Sequence, residues 1–282
     1  MDGLIDQAKA QLWKMVNQLA SSKKEGEASD IEIALFEYGN DKLAMGEGYV
    51  RMVSALTKDV DGISEKLFQL KTNGGSEYCG WVIGNAVKDL AWSTDDKDLK
   101  IIVIAGNEPF NQGPKDYKET CKWAAEKDIV INTVFCGAWK EGIETFWEAG
   151  AKIGKGQYLN IEQDKKVIHI RTPYDDILIQ LNLRLNKTYI GYGSAGKAMK
   201  ERQTLQDDNA AAYGQANVAQ RATYKAKAQY RNDSWDLLDA TEGDDKKIAS
   251  LRKEDLPEEM QKMNDSEKKE YLEKTAPRTG NC

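Results

Sequence analysis

A chain of 282 residues, 40% hydrophobic and 30% charged, carries enough apolar surface for a substantial core plus an appendage. Its formal net charge of −6 gives no basis for a nucleic-acid or anionic-membrane partner, since both need clustered positive charge. No apolar run approaches the length of a membrane span, and no signal peptide precedes the first amphipathic pattern.

Residues 3–20 place Leu4, Ile5, Ala8, Leu12, Met15, Val16 and Leu19 on one helical stripe. Residues 31–38 read as a strand ending in the turn Gly39-Asn40-Asp41, and 49–56 as an antiparallel neighbour. A short helix over 60–70 meets a glycine-rich break at Gly74-Gly75-Ser76, and a second helix follows over 77–92. Ile101, Ile102, Val103, Ile104 and Ala105 form an unbroken apolar run, the pattern of a strand buried on both faces in the middle of a parallel sheet. It stops abruptly at Gly106-Asn107-Glu108-Pro109, and in doubly wound sheets ligands bind beyond such strand ends.

Further helices are expected over 117–127, 140–153 and 174–185, with strands over 129–135 and 157–161 and a short extended piece over 167–170. The last of these helices is expected to turn Ile177, Leu178, Leu181 and Leu185 inward. From about residue 190 the composition shifts to Ala, Gln, Lys and Arg and then to charge, as in long helices with solvated faces. The fold class is α/β, Rossmann-like and doubly wound: a mostly parallel sheet with helices on both faces over 1–189, and a helical, charge-rich extension over 190–282.

The four cysteines, Cys79, Cys121, Cys136 and Cys282, show neither a CxxC pair nor metal-ligand spacing, and they read as reduced and mostly buried. Gly191 to Gly196 spells GxGxxG, but only Thr188-Tyr189-Ile190 precedes it, so it reads as a glycine-rich hinge rather than a dinucleotide loop. His169, the single histidine, reads as a half-buried structural residue. Trp139, with Phe110 and Tyr78, forms either an apolar patch that anchors a partner or a set of rings folded over helix ends.

This order of elements resembles a von Willebrand factor A-type (VWA) domain over residues 1–185, in a bacterial branch with a helical C-terminal extension. The likeness is carried by Gly3-Leu4-Ile5, Gly74-Gly75-Ser76, the stretch 101–109 and Ile131-Asn132-Thr133-Val134-Phe135-Cys136-Gly137. In the tail it rests on Arg202-Gln203, Gln206-Asp207 and Leu256-Pro257. The resemblance implies a central strand before the first helix, ending in Asp-x-Ser/Thr-x-Ser and then Met. Met1 stands where that Met falls, so this strand and three metal ligands are expected upstream, which leaves 101–105 unpaired on one side.

It further implies a metal-ion-dependent adhesion site that is degenerate here. Ser76 stands for the expected threonine and Asn107 for the expected aspartate, with Glu77 and Glu108 nearby to supply charge. Mg²⁺ or another divalent cation is expected only if upstream ligands exist. The alternative has Ser76 capping the following helix and Asn107 closing a turn. The implied function is a non-enzymatic, adhesion- or scaffold-type module. It would contact another protein through Gly75, Glu77, Tyr78, Glu108, Phe110 and Trp139, and would be exported or periplasmic if a preceding segment carries a signal. The alternative is a doubly wound enzyme taking a nucleotide or small substrate in the same crevice, and a third reading makes the tail a helical assembly segment.

Overall fold

The computed structural model describes residues 2–24, 27–161, 172–241 and 244–275. The chain divides into one compact unit of residues 1–9 and 32–168 and a second of residues 10–31 and 169–282. Helix α1 (Asp2–Ser21) contributes to both, and the short pair β1 (Lys23–Lys24) and β2 (Glu27–Ala28) follows it. The division thus falls about twenty residues before the expected boundary near 190.

In the first unit, β3 (Ile33–Tyr38) and β4 (Val50–Thr57) pair antiparallel, as their proximity in sequence predicts. Helices α2 (Val60–Gln69) and α3 (Cys79–Asp89) lead to β5 (Lys100–Gly106). Then come α4 (Tyr117–Glu126), β6 (Ile129–Phe135), α5 (Trp139–Glu144), α6 (Trp147–Ile153) and β7 (Lys155–Asn160). Strands β5, β6 and β7 form a separate three-stranded parallel sheet in that order.

Side chains alternate across this sheet. Ile102, Ile104, Ile129, Ile131 and Phe135 face a core built from Val82 and Ile83 of α3, Cys121 and Ala124 of α4, and Trp147 and Ala151 of α6. The opposite face carries Ile101, Val103, Val130 and Val134, and here the expectation of a strand buried on both faces fails. Among the described residues β5 is an edge strand, and Val103 is 65% exposed.

The single helix expected over 140–153 breaks into α5 and α6 at Thr145-Phe146, with Phe146 in the left-handed conformation (φ 72°). The break lets Trp147 turn into the core, where its indole N–H donates to the Glu108 carbonyl at 2.9 Å.

The second unit contains α7 (Asp175–Asn186), α8 (Gly196–Ala212), α9 (Gln215–Lys225), α10 (Leu237–Thr241), α11 (Asp245–Ser250) and α12 (Asp265–Thr275). α8, at 17 residues, is a long helix with a solvated face as expected, while the other helices are shorter and gather around buried groups. α7 packs on α9 with Asp175 and Asn182 buried; of the four residues expected inward, Leu178, Leu181 and Leu185 are half-buried and Ile177 is exposed. Asn182 and Asn186 both donate to Asp207 of α8, which places polar groups on the packed face beside these leucines. An apolar cluster of Ile190, Leu237, Ile248, Leu256, Met260 and Leu272 closes the C-terminal half of this unit. Within the GxGxxG stretch, a Cβ on Gly196 would lie 2.6 Å from the Gly191 carbonyl carbon, so these glycines serve close backbone packing. His169, the expected extended piece over 167–170, and Cys282 lie outside the described residues.

Candidate functional site

The C-terminal ends of β3 and β5 lead into Gly39 and into Gly106-Asn107-Glu108, and the segment before α3 threads toward both. Glu77 is buried there, its Oε2 accepting the backbone N–H of Asn107 at 3.1 Å and of Glu108 at 3.3 Å. A Cβ at position 106 would lie 2.3 Å from that oxygen, so only glycine lets the carboxylate reach the strand end. Burial raises the Glu77 pKa; the two N–H bonds oppose the shift and the neighbouring Glu108 charge adds to it.

Tyr38, the last residue of β3, donates its hydroxyl to the Ala105 carbonyl at 2.7 Å and lies 4.0 Å from Cys79 Sγ. Burial, followed by negative groups such as Glu77, pushes both the phenol and the Cys79 thiol well above their ordinary ranges. Burial likewise pushes the Cys121 and Cys136 thiols up to about 12. Among the described residues Cys79, Cys121 and Cys136 are free and buried, so the proposed reduced state has no cross-link to contradict it. Thiols held in the neutral form are poor nucleophiles.

The loops around this seat are tied to one another. Asp41 N–H donates to the Asn73 carbonyl at 3.0 Å, and Gln112 Nε2 donates to the Gly75 carbonyl at 3.0 Å. Beyond β6, Tyr158 donates its hydroxyl to the Trp139 carbonyl at 2.9 Å, and Asn160 Nδ2 donates to the Gly137 carbonyl at 3.1 Å. Backbone groups that loops would otherwise expose are thereby satisfied, and the rim is held in one arrangement.

The residues expected at the site separate into three kinds. Gly75, Tyr78, Glu108 and Trp139 lie on the rim; Tyr78 packs edge-on against Tyr49 with ring centroids 5.5 Å apart. Phe110 is a correction: it is fully buried, stacked edge-on against Tyr117 and Trp147, and has no surface to offer a partner. Glu77 is also a correction, since its carboxylate serves the strand end rather than solvent. Ser76 does not cap α3, whose N-cap position is Tyr78 with no side-chain bond.

The donors present fit a hard cation poorly. Burial raises the Glu77 pKa and the carboxylate is spent on backbone N–H groups, while Glu108 Oε1 accepts from Asn107 Nδ2 at 3.4 Å. Among the described residues no group of three His, Cys, Asp or Glu gathers into a metal-holding cluster.

Sequence reasoning missed two rim residues. Trp139 is 48% exposed, and Ile143 and Phe146 are 40% and 42% exposed. Trp139 and Ile143, four residues apart, share one side of α5 among the exposed polar residues Lys140, Glu141 and Glu144; Phe146 lies just past its end, its ring centroid 6.2 Å from that of Tyr117. The i, i+4, i+7 spacing was visible, but the same spacing describes a core-facing stripe. Phe146, a bulky residue at positive φ, marks stored backbone strain of about 1–3 kcal/mol beside this ridge.

No protein-family model matches the chain, and no curated protein matches it. Among solved structures it is similar to the conserved hypothetical protein BatB from Bacteroides thetaiotaomicron, at 15% identity over 72% of this chain and 88% of that one, with a TM-score of 0.40. It is also similar to the SpRpn10 VWA domain, at 14% identity over 63% and 82% of the two chains (TM-score 0.42). A third likeness is to an aerotolerance-related membrane protein from Bacteroides fragilis, at 14% identity over 56% and 81% (TM-score 0.37). At these identities and TM-scores the likenesses carry no argument about function.

Proposed function

We propose that the chain is a non-enzymatic protein-binding module that meets its partner through the rim at the C-terminal strand ends. The observation that carries this reading is the exposed ridge of Trp139, Ile143 and Phe146, set among charged residues and fixed from beneath by the Tyr158–Trp139 hydrogen bond. Large apolar side chains clustered on a surface and ringed by polar groups are what anchors a protein interface. Gly75, Tyr78 and Glu108 extend the contact along the same rim.

The nucleotide-binding alternative finds less support. The backbone N–H groups at the end of β5, where a phosphate would seek donors, already serve the Glu77 carboxylate. A cation-bridged contact is also outside this reading, because the donor set at Ser76, Glu77, Asn107 and Glu108 fits Mg²⁺ poorly.

Affinity capture from the cells that make the protein tests the proposal. Proteins retained by the native chain should be lost with the Ile143→Glu/Phe146→Glu double variant and kept with Lys88→Glu on the exposed end of α3. Capture indifferent to the double variant overturns the reading. So does saturable thermal stabilisation by a nucleotide, because that binding needs the crevice instead.

A further inference from the structure

Asn73-Gly74 is the single Asn-Gly pair in the sequence, and both residues are exposed on the segment between α2 and α3. An asparagine amide carbon is an electrophile within reach of the peptide nitrogen that follows it. Two things ordinarily prevent attack: that nitrogen is engaged as a hydrogen-bond donor, and the next residue's Cβ crowds the approach. Neither protection holds at Asn73. Gly74 has φ +106°, and a Cβ there would lie 2.3 Å from Asp41 Oδ1 and 2.8 Å from the Gly39 carbonyl oxygen, so the position requires glycine. Among the described residues the Gly74 N–H donates to no protein group.

The other asparagines of these loops are protected. After Asn40, the Asp41 N–H donates to the Asn73 carbonyl at 3.0 Å. After Asn107, the Glu108 N–H donates to Glu77 Oε2 at 3.3 Å, and after Asn111 the Gln112 N–H donates to the Pro109 carbonyl at 2.9 Å. The reacting unit at Asn73 is also held in place. Its Nδ2 donates to Asn40 Oδ1 at 3.1 Å, and Asn40 is itself fixed by Glu37 Oε1 at 2.7 Å and by the Lys42 N–H at 3.0 Å. The Asp41 N–H on the Asn73 carbonyl draws electron density from the Asn73–Gly74 peptide and stabilises the anion left when its nitrogen loses a proton.

We propose that Asn73 is a site of spontaneous hydrolytic deamidation, and that the modification releases the turn after β3 from the segment before α3. The Gly74 nitrogen gives its proton to solvent and bonds to Asn73 Cγ. The Cγ–Nδ2 bond breaks, ammonia leaves, and a succinimide closes. Water then adds to one of the two ring carbonyls. Cleavage between the Gly74 nitrogen and Cγ gives aspartate; cleavage between that nitrogen and the backbone carbonyl carbon gives isoaspartate, with the chain running through Cγ. No group is oxidised or reduced. The product carboxylate is an acceptor facing the acceptor Asn40 Oδ1, and it adds negative charge close to Asp41, so the tie is lost and the two segments repel. This site is separate from the rim ridge and does not depend on the partner-binding reading.

The full chain is incubated at mildly alkaline pH, sampled over days and digested, and its asparagine-containing peptides are resolved by chromatography and mass spectrometry. The expected result is loss of the amide at Asn73 about tenfold or more faster than at Asn40, Asn107 or Asn111. Amide hydrogen exchange at Asp41 should be faster in the converted chain than in the fresh one. Asn73→Gln keeps an amide for Asn40 and would need a larger ring to cyclise, so it should stay unmodified, with Asp41 exchange unchanged by the same incubation. Asn73→Asp supplies the carboxylate at once and should show the faster Asp41 exchange before any incubation. The proposal is overturned if Asn73 keeps its amide while a free peptide of residues 70–77 loses it, or if Asn40, Asn107 or Asn111 converts as quickly. It is also overturned if Asp41 exchange is the same in the fresh chain, the converted chain and the Asn73→Asp variant.

Discussion

The two units hold themselves together by different chemistry. The core of the first is almost wholly hydrocarbon and aromatic: Ile83, Ile104, Phe110, Ile129, Ile131, Phe135 and Trp147 meet with little polar intrusion. The interior of the α7–α9 region in the second unit is polar. Arg221 and Lys225 have no exposed side chain, and both pair with Asp207, whose carboxylate also accepts from Asn182 and Asn186. Arg221 lies over the Trp13 ring, 4.5 Å from its centroid. An apolar core tolerates many fillings of similar volume, whereas a buried carboxylate with two cations and two amides accepts one register of the helices that supply them. The contrast teaches that the α7–α9 region trades hydrophobic stabilisation for specificity of arrangement, while the Ile190–Leu272 cluster of the same unit stays apolar.

The largest effect should come from breaking that network. Asp207→Ala leaves Arg221 and Lys225 buried without their carboxylate, a change expected to cost ~3–5 kcal/mol. Denaturant unfolding of the variant measures it, and a loss below ~1 kcal/mol would show that the cations find water instead. Acid gives an independent reading. The paired cations hold the Asp207 carboxyl below its ordinary range against the opposing effect of burial, so its stabilisation is present above the ordinary aspartate pKa of 3.8. It fades as pH falls below that value toward the lower folded pKa.

The apolar core supplies the next effect. Phe110→Ala deletes a fully buried ring between Tyr117 and Trp147 and should cost about 3–4 kcal/mol, while Trp139→Ala on the ridge should cost less than ~1 kcal/mol. Two aromatic residues that the sequence reads alike are thereby separated by one measurement. Equal losses would mean that Trp139 is a core residue and that the ridge is misassigned.

That pair also shows where the sequence is legible. Periodicity gave the strands over 31–38, 49–56 and 129–135 and the helices over 60–70 and 117–127, because each buries one face or stripe of ordinary apolar residues. It misjudged β5, since an apolar run reports that both faces avoid water and not what covers them. On α7 it missed the two asparagines drawn to one aspartate, because no spacing rule announces a partner so far along the chain. At the strand ends, the glycine break and Asn107-Glu108 were found. The burial of Glu77 was not, because it depends on Gly106 and Gly39 making room.

Glu77 gives a smaller, pH-dependent test. Its folded pKa is raised by burial, so its contribution is complete below the ordinary glutamate pKa of 4.5 and is lost as pH rises toward the elevated folded value. Glu77→Gln keeps an oxygen for the Asn107 and Glu108 N–H groups and removes the charge. The variant should match the native chain in melting temperature near pH 4 and melt a few degrees higher near pH 7. A variant less stable at pH 7 would mean that the ionised carboxylate, not its oxygen, holds the strand end.

The smallest effect belongs to α7. Ile177 and Leu183 are exposed on α7, so replacing both with serine should change unfolding stability by less than ~0.5 kcal/mol for each site. Asn182→Leu, an apolar substitution on the same helix, should instead be strongly destabilising. It removes a donor to Asp207 and places an aliphatic side chain beside a buried charge cluster. On most amphipathic helices the signs run the other way, with leucine welcome inside and serine harmless only outside. If the serine variant proves the worse of the two, Ile177 and Leu183 are covered, and the Asp207 cluster is not what holds α7 in place.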